Sequence, residues 1–317
     1  MLVATLCFAT FLQLFVQSDR SRRAGPNPAA PEVRWWLVDD HSGSLIGLDG
    51  GLGVVRRQAL AGIQRVRCGS DPESPVWALV SCPAWDELVR LPPRGSPSAG
   101  VPVFERVLEL AVDRGDGLWF LAQDARGAVR LDRLEPEGRP RTRALAPHAR
   151  HLAPSGEHVL VASDAGLLGL FAFQEPPALR AREVGGGPAR ALARAPRGWW
   201  LLEGDTELGL VRLESDLSRR WIRSIQTQGE LLLTADPERD AAWVVETPRG
   251  RVRRYSGQGG RELDVLLPAA GPTAVCADGE GGVLVATPGA LFLLDADGRL
   301  RRTQGGFERI ADVARAP

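Results

Sequence analysis

The 317-residue sequence contains no lysine, a single asparagine (Asn27) and no excess charge of either sign. All 39 basic residues are arginines, and 39 acidic residues balance them. We attribute the missing lysine to the codon usage of a GC-rich genome and assign it no function. Balanced charge gives no electrostatic basis for binding nucleic acid, so a nucleic-acid partner is not expected.

Cysteine is also scarce, with four copies spread along the chain. Cys7 lies in an apolar N-terminal segment. The other three, Cys68, Cys82 and Cys276, are an odd number at wide spacings, so we expect no disulfide framework and interpret them as small buried residues. The sequence contains no nucleophile elbow, no phosphate-binding glycine loop and no paired-cysteine metal motif. It therefore offers no motif of these kinds that would indicate a reaction.

The N-terminus carries an apolar run from Leu2 to Val16. It is short for a membrane span and has the length of the hydrophobic region of a signal peptide. We predict that residues 1–18 are a signal peptide cleaved before Asp19, or else an uncleaved membrane anchor. By charge bias, the arginines that follow the run favour keeping their side in the cytoplasm, which opposes export. Residues 19–32 contain three prolines and are predicted to be a linker. On the signal-peptide criteria we predict export to the periplasm, the medium or the outer side of the membrane, with membrane contact only through this segment.

The rest of the chain repeats one short apolar pattern seven times. The copies are rich in tryptophan, leucine and valine and are bounded by glycine, proline or charged residues, which is typical of strands buried on both faces. Their central residues are 40 to 43 positions apart and are Trp36, Trp77, Trp119, Leu160, Trp200, Trp243 and Leu284. Such a period indicates an array of supersecondary units. We predict an all-β domain over residues 33–317, a seven-bladed β-propeller of four-stranded blades.

Each repeat changes along its length from small apolar residues to arginine-rich segments, which suits a blade with a crowded inner edge and a solvated outer edge. The C-terminal segment Phe307–Ala314 matches the inner-strand segment Phe104–Ala111 at four of eight positions, and residues 314–317 resemble residues 193–196. Since the array begins just before the strand of Trp36, we predict that the C-terminal segment supplies the inner strand of the first blade. Closure of this kind leaves no free sheet edge, and a monomer is expected.

Two repeats carry the pattern of a known group of propellers. They are Asp116–Leu121 with Leu131–Asp132, and Gly281–Thr287 with Leu294–Gly298. These segments resemble repeats of bacterial NHL-like propellers, a broad group that includes virginiamycin B lyase and, more distantly, the gluconolactonases. The resemblance covers residues 34–317 and implies the propeller fold. Gluconolactonase-type enzymes use a metal held by carboxylates and asparagine amides, whereas the asparagine of this chain lies in the linker. The catalytic histidine of the lyase is not matched by any of the four histidines, so neither activity carries over residue by residue.

Candidate binding residues lie at the face formed by the loops that enter the inner strand and the loops that follow the second strand. At the start of the inner strands, an alignment of the repeats places five arginines in equivalent positions: Arg65, Arg106, Arg150, Arg190 and Arg309. Polar residues just past the second strands share this face: Asp39, Asp40, His41, Asp124, Asp164, Glu203 and Glu246. Converging guanidinium groups offer forked donors to a carboxylate or phosphate, which predicts an anion site at the channel mouth. The alternative is that each arginine pairs with an acid of its own or the next blade and only ties the rim together.

The acids of this face have two further interpretations. Their carboxylates, with His148 and His151 nearby, would furnish a site for a divalent metal and favour a metal-dependent lyase or lactonase. Aspartate beside glycine or serine is also ordinary hairpin-turn chemistry. Because the repeat is regular and no chemical constellation stands out, our hypothesis is a non-catalytic binding scaffold without a cofactor, with a protein or a small anionic ligand as its partner. The metal-dependent lyase or lactonase is the alternative.

Overall fold

The computed structural model describes residues 32–69, 71, 73–92, 97–136, 140–173, 178–184, 186–227, 229–236 and 239–316. The predicted signal peptide or anchor, and all but the last residue of the predicted linker, lie outside these ranges, so export stays a prediction. The described ranges contain no helix that is long and apolar enough to cross a membrane.

The described residues form 28 strands in seven antiparallel four-stranded sheets, the predicted blades of an all-β propeller. Blade 1 combines the first three strands with the last, and each later blade contains four consecutive strands. The strands are β1 (Trp35–Asp39), β2 (Ser44–Leu48), β3 (Val54–Ala59), β4 (Ile63–Cys68), β5 (Val76–Ser81), β6 (Asp86–Leu91), β7 (Val101–Val103), β8 (Arg106–Val112), β9 (Leu118–Gln123), β10 (Val129–Leu134), β11 (Pro140–Leu145), β12 (Ala149–Ser155), β13 (His158–Ser163), β14 (Leu167–Ala172), β15 (Leu179–Val184), β16 (Ala189–Ala195), β17 (Gly198–Glu203), β18 (Leu208–Leu213), β19 (Arg219–Ile225), β20 (Leu231–Asp236), β21 (Ala241–Glu246), β22 (Arg251–Ser256), β23 (Arg261–Leu266), β24 (Ala274–Ala277), β25 (Val283–Thr287), β26 (Ala290–Leu294), β27 (Leu300–Gly305) and β28 (Ile310–Arg315).

The C-terminal strand closes the ring as predicted. The sheet of blade 1 has the order β28-β1-β2-β3, and the register pairs Trp36 with Ala314 and Val38 with Asp312. The inner strands β28, β4, β8, β12, β16, β20 and β24 neighbour one another around a closed circle. Closure therefore gives β1 a hydrogen-bonded partner on its inner side and leaves it no open edge.

The apolar core lies between blades, which explains why the second strands are apolar at successive positions. Trp35 and Leu37 of β1 pack with Leu284 of blade 7, whereas Trp36 and Val38 pack with residues of blade 2. Alternate side chains of a strand point to opposite faces, so a second strand needs apolar residues of both parities to contact both neighbours. Seven tryptophans fill these layers with 4% or less of their surface exposed: Trp35, Trp36, Trp77, Trp119, Trp199, Trp200 and Trp243.

Five of the seven inner strands carry a β-bulge near their start. The register shifts by one residue in β28, β4, β8, β12 and β16, whereas β20 and β24 pair without a shift. A bulge places two residues opposite one and turns the side chains that follow. The bulges therefore decide which inner-strand residues share a layer of the channel.

Candidate functional site

The rim of the ring, where inner strands begin and second strands end, holds the residues predicted to form the site. The prediction that its five arginines are equivalent is wrong. Arg106 and Arg309 precede the bulge of their strands, Arg150 and Arg190 are themselves the bulged residues, and Arg65 follows the bulge. One extra residue turns each later side chain to the other face of the strand, and an alignment of repeats without gaps does not show this.

Three rim arginines pair with an acid of their own blade. Arg309 donates from Nε and Nη2 to the two carboxylate oxygens of Asp40, at 2.6 and 2.7 Å. Arg150 Nε lies 3.1 Å from Asp164 Oδ2. The third pair is Arg190 with Asp205. These contacts match the interpretation in which the arginines tie the rim together.

The other two rim arginines differ from these three. Arg65 reaches into the next blade, where its Nη1 lies 3.0 Å from Glu109 Oε1 and 2.8 Å from the carbonyl oxygen of Leu108. Arg106 is exposed and forms no ion pair with any residue that the structure describes. The structure thus uses four of the five predicted anion-binding arginines in pairs with carboxylates, which leaves them fewer free donors.

Asp39 fastens the closing strand to blade 1. It is 2% exposed, and its carboxylate accepts hydrogen bonds from the backbone amides of Arg309 (3.1 Å), Glu308 (3.3 Å) and Ser42 (3.4 Å). Burial raises the pKa of Asp39, but the hydrogen bonds from Arg309, Glu308 and Ser42 together outweigh burial and hold this pKa below its ordinary value of 3.8. The carboxylate is therefore an anchor for the chain end.

The other predicted acids are also engaged. Asp124 accepts the amides of Arg126 and Ala128 within its own hairpin turn, both at 2.9 Å. Glu203 accepts the amide of Gly186 and pairs with Arg219, and Glu246 lies 3.6 Å from Arg253. Turn and ion-pair chemistry thus accounts for the acids that the metal hypothesis requires.

The histidines do not gather at one point. His41 Nε2 contacts Glu308 Oε2 at 3.2 Å on the exposed rim. His148 has a left-handed backbone with φ of 60° at the entry to β12. His151 is partly buried, and burial lowers its pKa. Among the residues with described positions, no group of three His, Cys, Asp or Glu side chains is arranged to hold a metal ion.

Two adjacent acids of this rim give a matched test. We expect Asp40→Ala to lower the free energy of unfolding by less than about 1 kcal/mol, because its partner Arg309 is largely exposed. We expect Asp39→Ala to lower it by about 1–3 kcal/mol, because the amides of Glu308 and Arg309, just before the closing strand, lose a buried acceptor. Urea denaturation at pH 7 measures both.

The lowered pKa of Asp39 also sets a pH dependence. A carboxyl whose folded pKa lies below its unfolded value stabilises the fold above the unfolded value of 3.8, and the stabilisation disappears as pH falls through the folded pKa. The difference between the wild type and Asp39→Ala is therefore expected to be constant from pH 5 to 7 and to shrink below about pH 4. If Asp39→Ala and Asp40→Ala lower the free energy of unfolding equally at pH 7, Asp39 does not anchor the closing strand.

Behind the rim, four consecutive inner strands place a charged or ionisable residue in the same layer of the channel. Each of them pairs with the second-strand residue that lies two positions after the central residue of its repeat. The four residues are Asp312, Arg65, Glu109 and His151. The three remaining blades place Ala191, Leu232 and Ala274 there. This layer of the channel is therefore polar on the side of blades 1 to 4 and apolar on the other.

Arg67 joins the charged residues of this layer in blades 1 to 3 into one network. Its Nη1 lies 2.6 Å from Asp312 Oδ2, its Nη2 lies 3.3 Å from Glu109 Oε1, and its Nε donates to the carbonyl oxygen of Leu110 at 3.1 Å. Asp312 also accepts the amide of Val66 at 3.0 Å. The acids and bases of blades 1 to 3 are thereby matched, and the network ties three inner strands together across blade boundaries. This layer was missed in the sequence because the bulges hide its spacing.

From Asp312 and Arg67 towards the ends of the inner strands, the channel widens into a cavity of about 670 Å³. Six of the seven blades line it. Apolar walls come from residues such as Leu192, Leu233 and Val275, and four arginines reach it from different blades: Arg67, Arg114, Arg194 and Arg315. Two of them, Arg194 and Arg315, occupy equivalent positions, opposite Trp199 and Trp35. The resemblance between residues 193–196 and 314–317 is the signal in the sequence that could have found them.

Two of the three described cysteines line the same cavity. Cys68 and Cys276 are free and partly buried, as expected from the sequence. Burial raises the pKa of both thiols, that of Cys276 to about 11. Neither thiol is therefore a thiolate nucleophile at neutral pH.

Comparisons with known proteins give the fold and no family. No family model matches the sequence, and none of the curated proteins matches it. Among solved structures, a functionally unknown protein from Desulfotomaculum acetoxidans superimposes with a TM-score of 0.67 at 10% identity, over 90% of this chain and 99% of that chain. Virginiamycin B lyase from Staphylococcus aureus gives a TM-score of 0.61 at 14% identity, over 77% of this chain and 84% of that one. A protein from Lactobacillus plantarum gives a TM-score of 0.61 at 10% identity, over 89% of this chain and 98% of that one. The expected resemblance to propellers of the lyase type is thus confirmed in architecture, and the chain has the fold of a seven-bladed β-propeller.

Proposed function

We propose that the protein is a non-catalytic binding propeller that holds a small ligand in its central cavity. The observation that carries this proposal is the cavity of about 670 Å³ on the ring axis, lined by inner-strand residues of six blades. Its volume lies within the range of about 300–1,000 Å³ found for small-molecule sites. Small-molecule sites combine apolar walls with placed polar groups, and this cavity contains both, with charged side chains prominent in its lining.

This proposal moves the ligand from the rim, where the sequence predicted it, to the other end of the channel. Arg150, Arg190 and Arg309 at the rim, and Arg65 in the layer behind it, already have carboxylate partners. An anion would have to compete with those partners for the same donors. The cavity offers a space that a ligand can fill without breaking a rim pair.

The alternative, a metal-dependent lyase or lactonase, draws on the rim acids. The carboxylates of Asp39 and Asp124 accept hydrogen bonds from backbone amides, and that of Glu203 pairs with an arginine. A metal would have to displace these contacts, and Asp39 would release the closing strand in doing so. Binding without catalysis is therefore the function that the geometry supports better.

A panel of small probes tests the proposal. Glucose, putrescine and citrate represent neutral, cationic and anionic ligands, and each is added to the full chain at millimolar concentration. We expect at least one of them to raise the melting temperature, since a ligand at about 100 times its Kd adds about 2.7 kcal/mol to the stability of the folded state.

Two phenylalanine variants locate the bound probe. Ala193→Phe places a ring in the cavity wall and is expected to abolish the stabilisation, whereas Ala125→Phe, in an exposed turn, is expected to keep it. If no probe stabilises the wild type, or if Ala193→Phe responds as the wild type does while melting cooperatively, the cavity is not the binding site.

A further inference from the structure

The arginines at the wide end of the channel are arranged differently from those of the rim. Arg114 follows β8 in blade 3, Arg194 lies in β16 of blade 5, and Arg315 lies in β28 of blade 1. They reach one cavity from three alternate blades of the ring. Side chains so placed approach an occupant of the cavity from three sides.

None of these three arginines forms an ion pair in the part of the chain that the structure describes. The Nε atoms of Arg194 and Arg315 are buried and have no hydrogen-bond partner there. A buried donor without a partner is unfavourable, so a turn of either guanidinium towards an acceptor held in the cavity would be favoured.

The two acids that line the cavity, Asp113 and Asp312, are already engaged. Asp312 pairs with Arg67, and Asp113 accepts hydrogen bonds from its own turn, from the indole of Trp119 and from Arg133. Glu280, near Arg315, is held by Arg34. The positive charge of the three arginines is therefore not balanced by carboxylates within the cavity.

The electrostatic environment of Arg194 agrees with this geometry. Burial lowers the pKa of Arg194, and the neighbouring guanidinium of Arg114 lowers it further. Two like charges held near each other in a partly buried space favour the entry of an anion between them.

We propose that this cavity binds a small molecule with two or more carboxylate or phosphate groups, held by Arg114, Arg194 and Arg315. Guanidinium groups present forked donors that match both anions, and three of them suit more than one anionic group. The apolar wall of Leu192, Leu233 and Val275 contacts the carbon skeleton. This inference rests on the proposed function and adds the chemical class of the ligand.

Isothermal titration of the full chain with citrate and with pyrophosphate tests the class. Acetate and chloride at matched ionic strength are the monovalent controls, and the two probes distinguish a carboxylate site from a phosphate site. We expect one or both probes to bind with at least tenfold higher affinity than acetate. Equal affinity for acetate, or no binding of either probe, would overturn the inference.

Glutamine variants test the assignment of residues. Arg194→Gln and Arg315→Gln are each expected to weaken binding of the probe at least tenfold. Neither is expected to lower the melting temperature of the free protein, because each removes a partly buried charge that has no ion-pair partner among the described residues. Arg106→Gln is the matched control, since Arg106 is an arginine at the opposite rim without an ion pair among the described residues. It is expected to leave affinity unchanged.

The outcomes separate this inference from the proposed function. Weaker binding in Arg106→Gln together with unchanged binding in both cavity variants would place the anion at the rim and overturn both proposals. Stabilisation by glucose or putrescine that Ala193→Phe abolishes, with no response to citrate or pyrophosphate, would keep the cavity as a binding site and overturn only the anionic class.

Discussion

Deletion of residues 310–317 is expected to lower the melting temperature by about 10 °C or more, or to abolish cooperative unfolding. The deletion removes β28, whose Ile310 and Val313 are 0% and 5% exposed. Burial of two such side chains contributes about 3–6 kcal/mol in total, against a typical net stability of about 5–15 kcal/mol. The inner edge of β1 would also become an unpaired strand edge.

Point substitutions keep this prediction measurable if the shortened chain does not fold. Ile310→Ala is expected to lower the free energy of unfolding by about 2–5 kcal/mol. The control Leu300→Ala, on outer strand β27 with 47% of its surface exposed, is expected to change it by less than about 0.5 kcal/mol. A shortened chain that melts within about 2 °C of the full chain would show that β28 does not close the ring.

Asp113→Ala is expected to lower the free energy of unfolding by about 3–5 kcal/mol, more than either Asp39→Ala or Asp40→Ala. Asp113 is 3% exposed and accepts the amides of Gly115 (2.8 Å) and Gly117 (3.0 Å). Its other oxygen accepts the indole N–H of Trp119 at 2.8 Å and Arg133 Nε at 2.9 Å. Removal of the carboxylate leaves a buried indole, two amides and a partly buried guanidinium without this acceptor.

The same blade supplies the control. Asp124 accepts two amides of a similar turn but lies on the more exposed rim, so Asp124→Ala is expected to lower the free energy of unfolding by about 0.5–1.5 kcal/mol. Asp113→Asn retains an oxygen for the amides and is expected to fall between the two alanine variants. Urea denaturation at pH 7 gives all three values. If Asp113→Ala and Asp124→Ala lower the free energy of unfolding by amounts that agree within about 0.5 kcal/mol, burial of the Asp113 carboxylate and its pair with Arg133 do not contribute to stability.

A repeated contact of the second and third strands was missed in the sequence. Arg133, Arg212 and Arg254 pair across the sheet with Trp119, Trp200 and Trp243, and each guanidinium carbon lies 5.4–5.8 Å from the ring centre. The repeats predicted that the tryptophans belong to the core, which the structure confirms, but they indicated no role for these arginines. Their charge faces an aromatic surface, which stabilises a partly buried cation.

Less of the candidate site than of the fold could be predicted from the sequence. The spacing of the repeats predicted seven blades and the closing strand, because each blade is a local unit whose strands follow one another in the sequence. The rim pair of Arg309 with Asp40 joins residues 269 positions apart, and the pair of Arg67 with Asp312 joins residues 245 apart. Which of these charges meet depends on ring closure and on the bulges together.

The sequence by itself determined the number of blades, the buried second strands and the closing role of the C-terminus, because hydrophobic periodicity and repeat length are local properties of the chain. Only the tertiary structure decided which charges pair and which remain unbalanced. A bulge of one residue turns a side chain to the other face, and closure of the ring brings Arg114, Arg194 and Arg315 from three blades to one cavity. Neither effect leaves a spacing that can be read along a single strand.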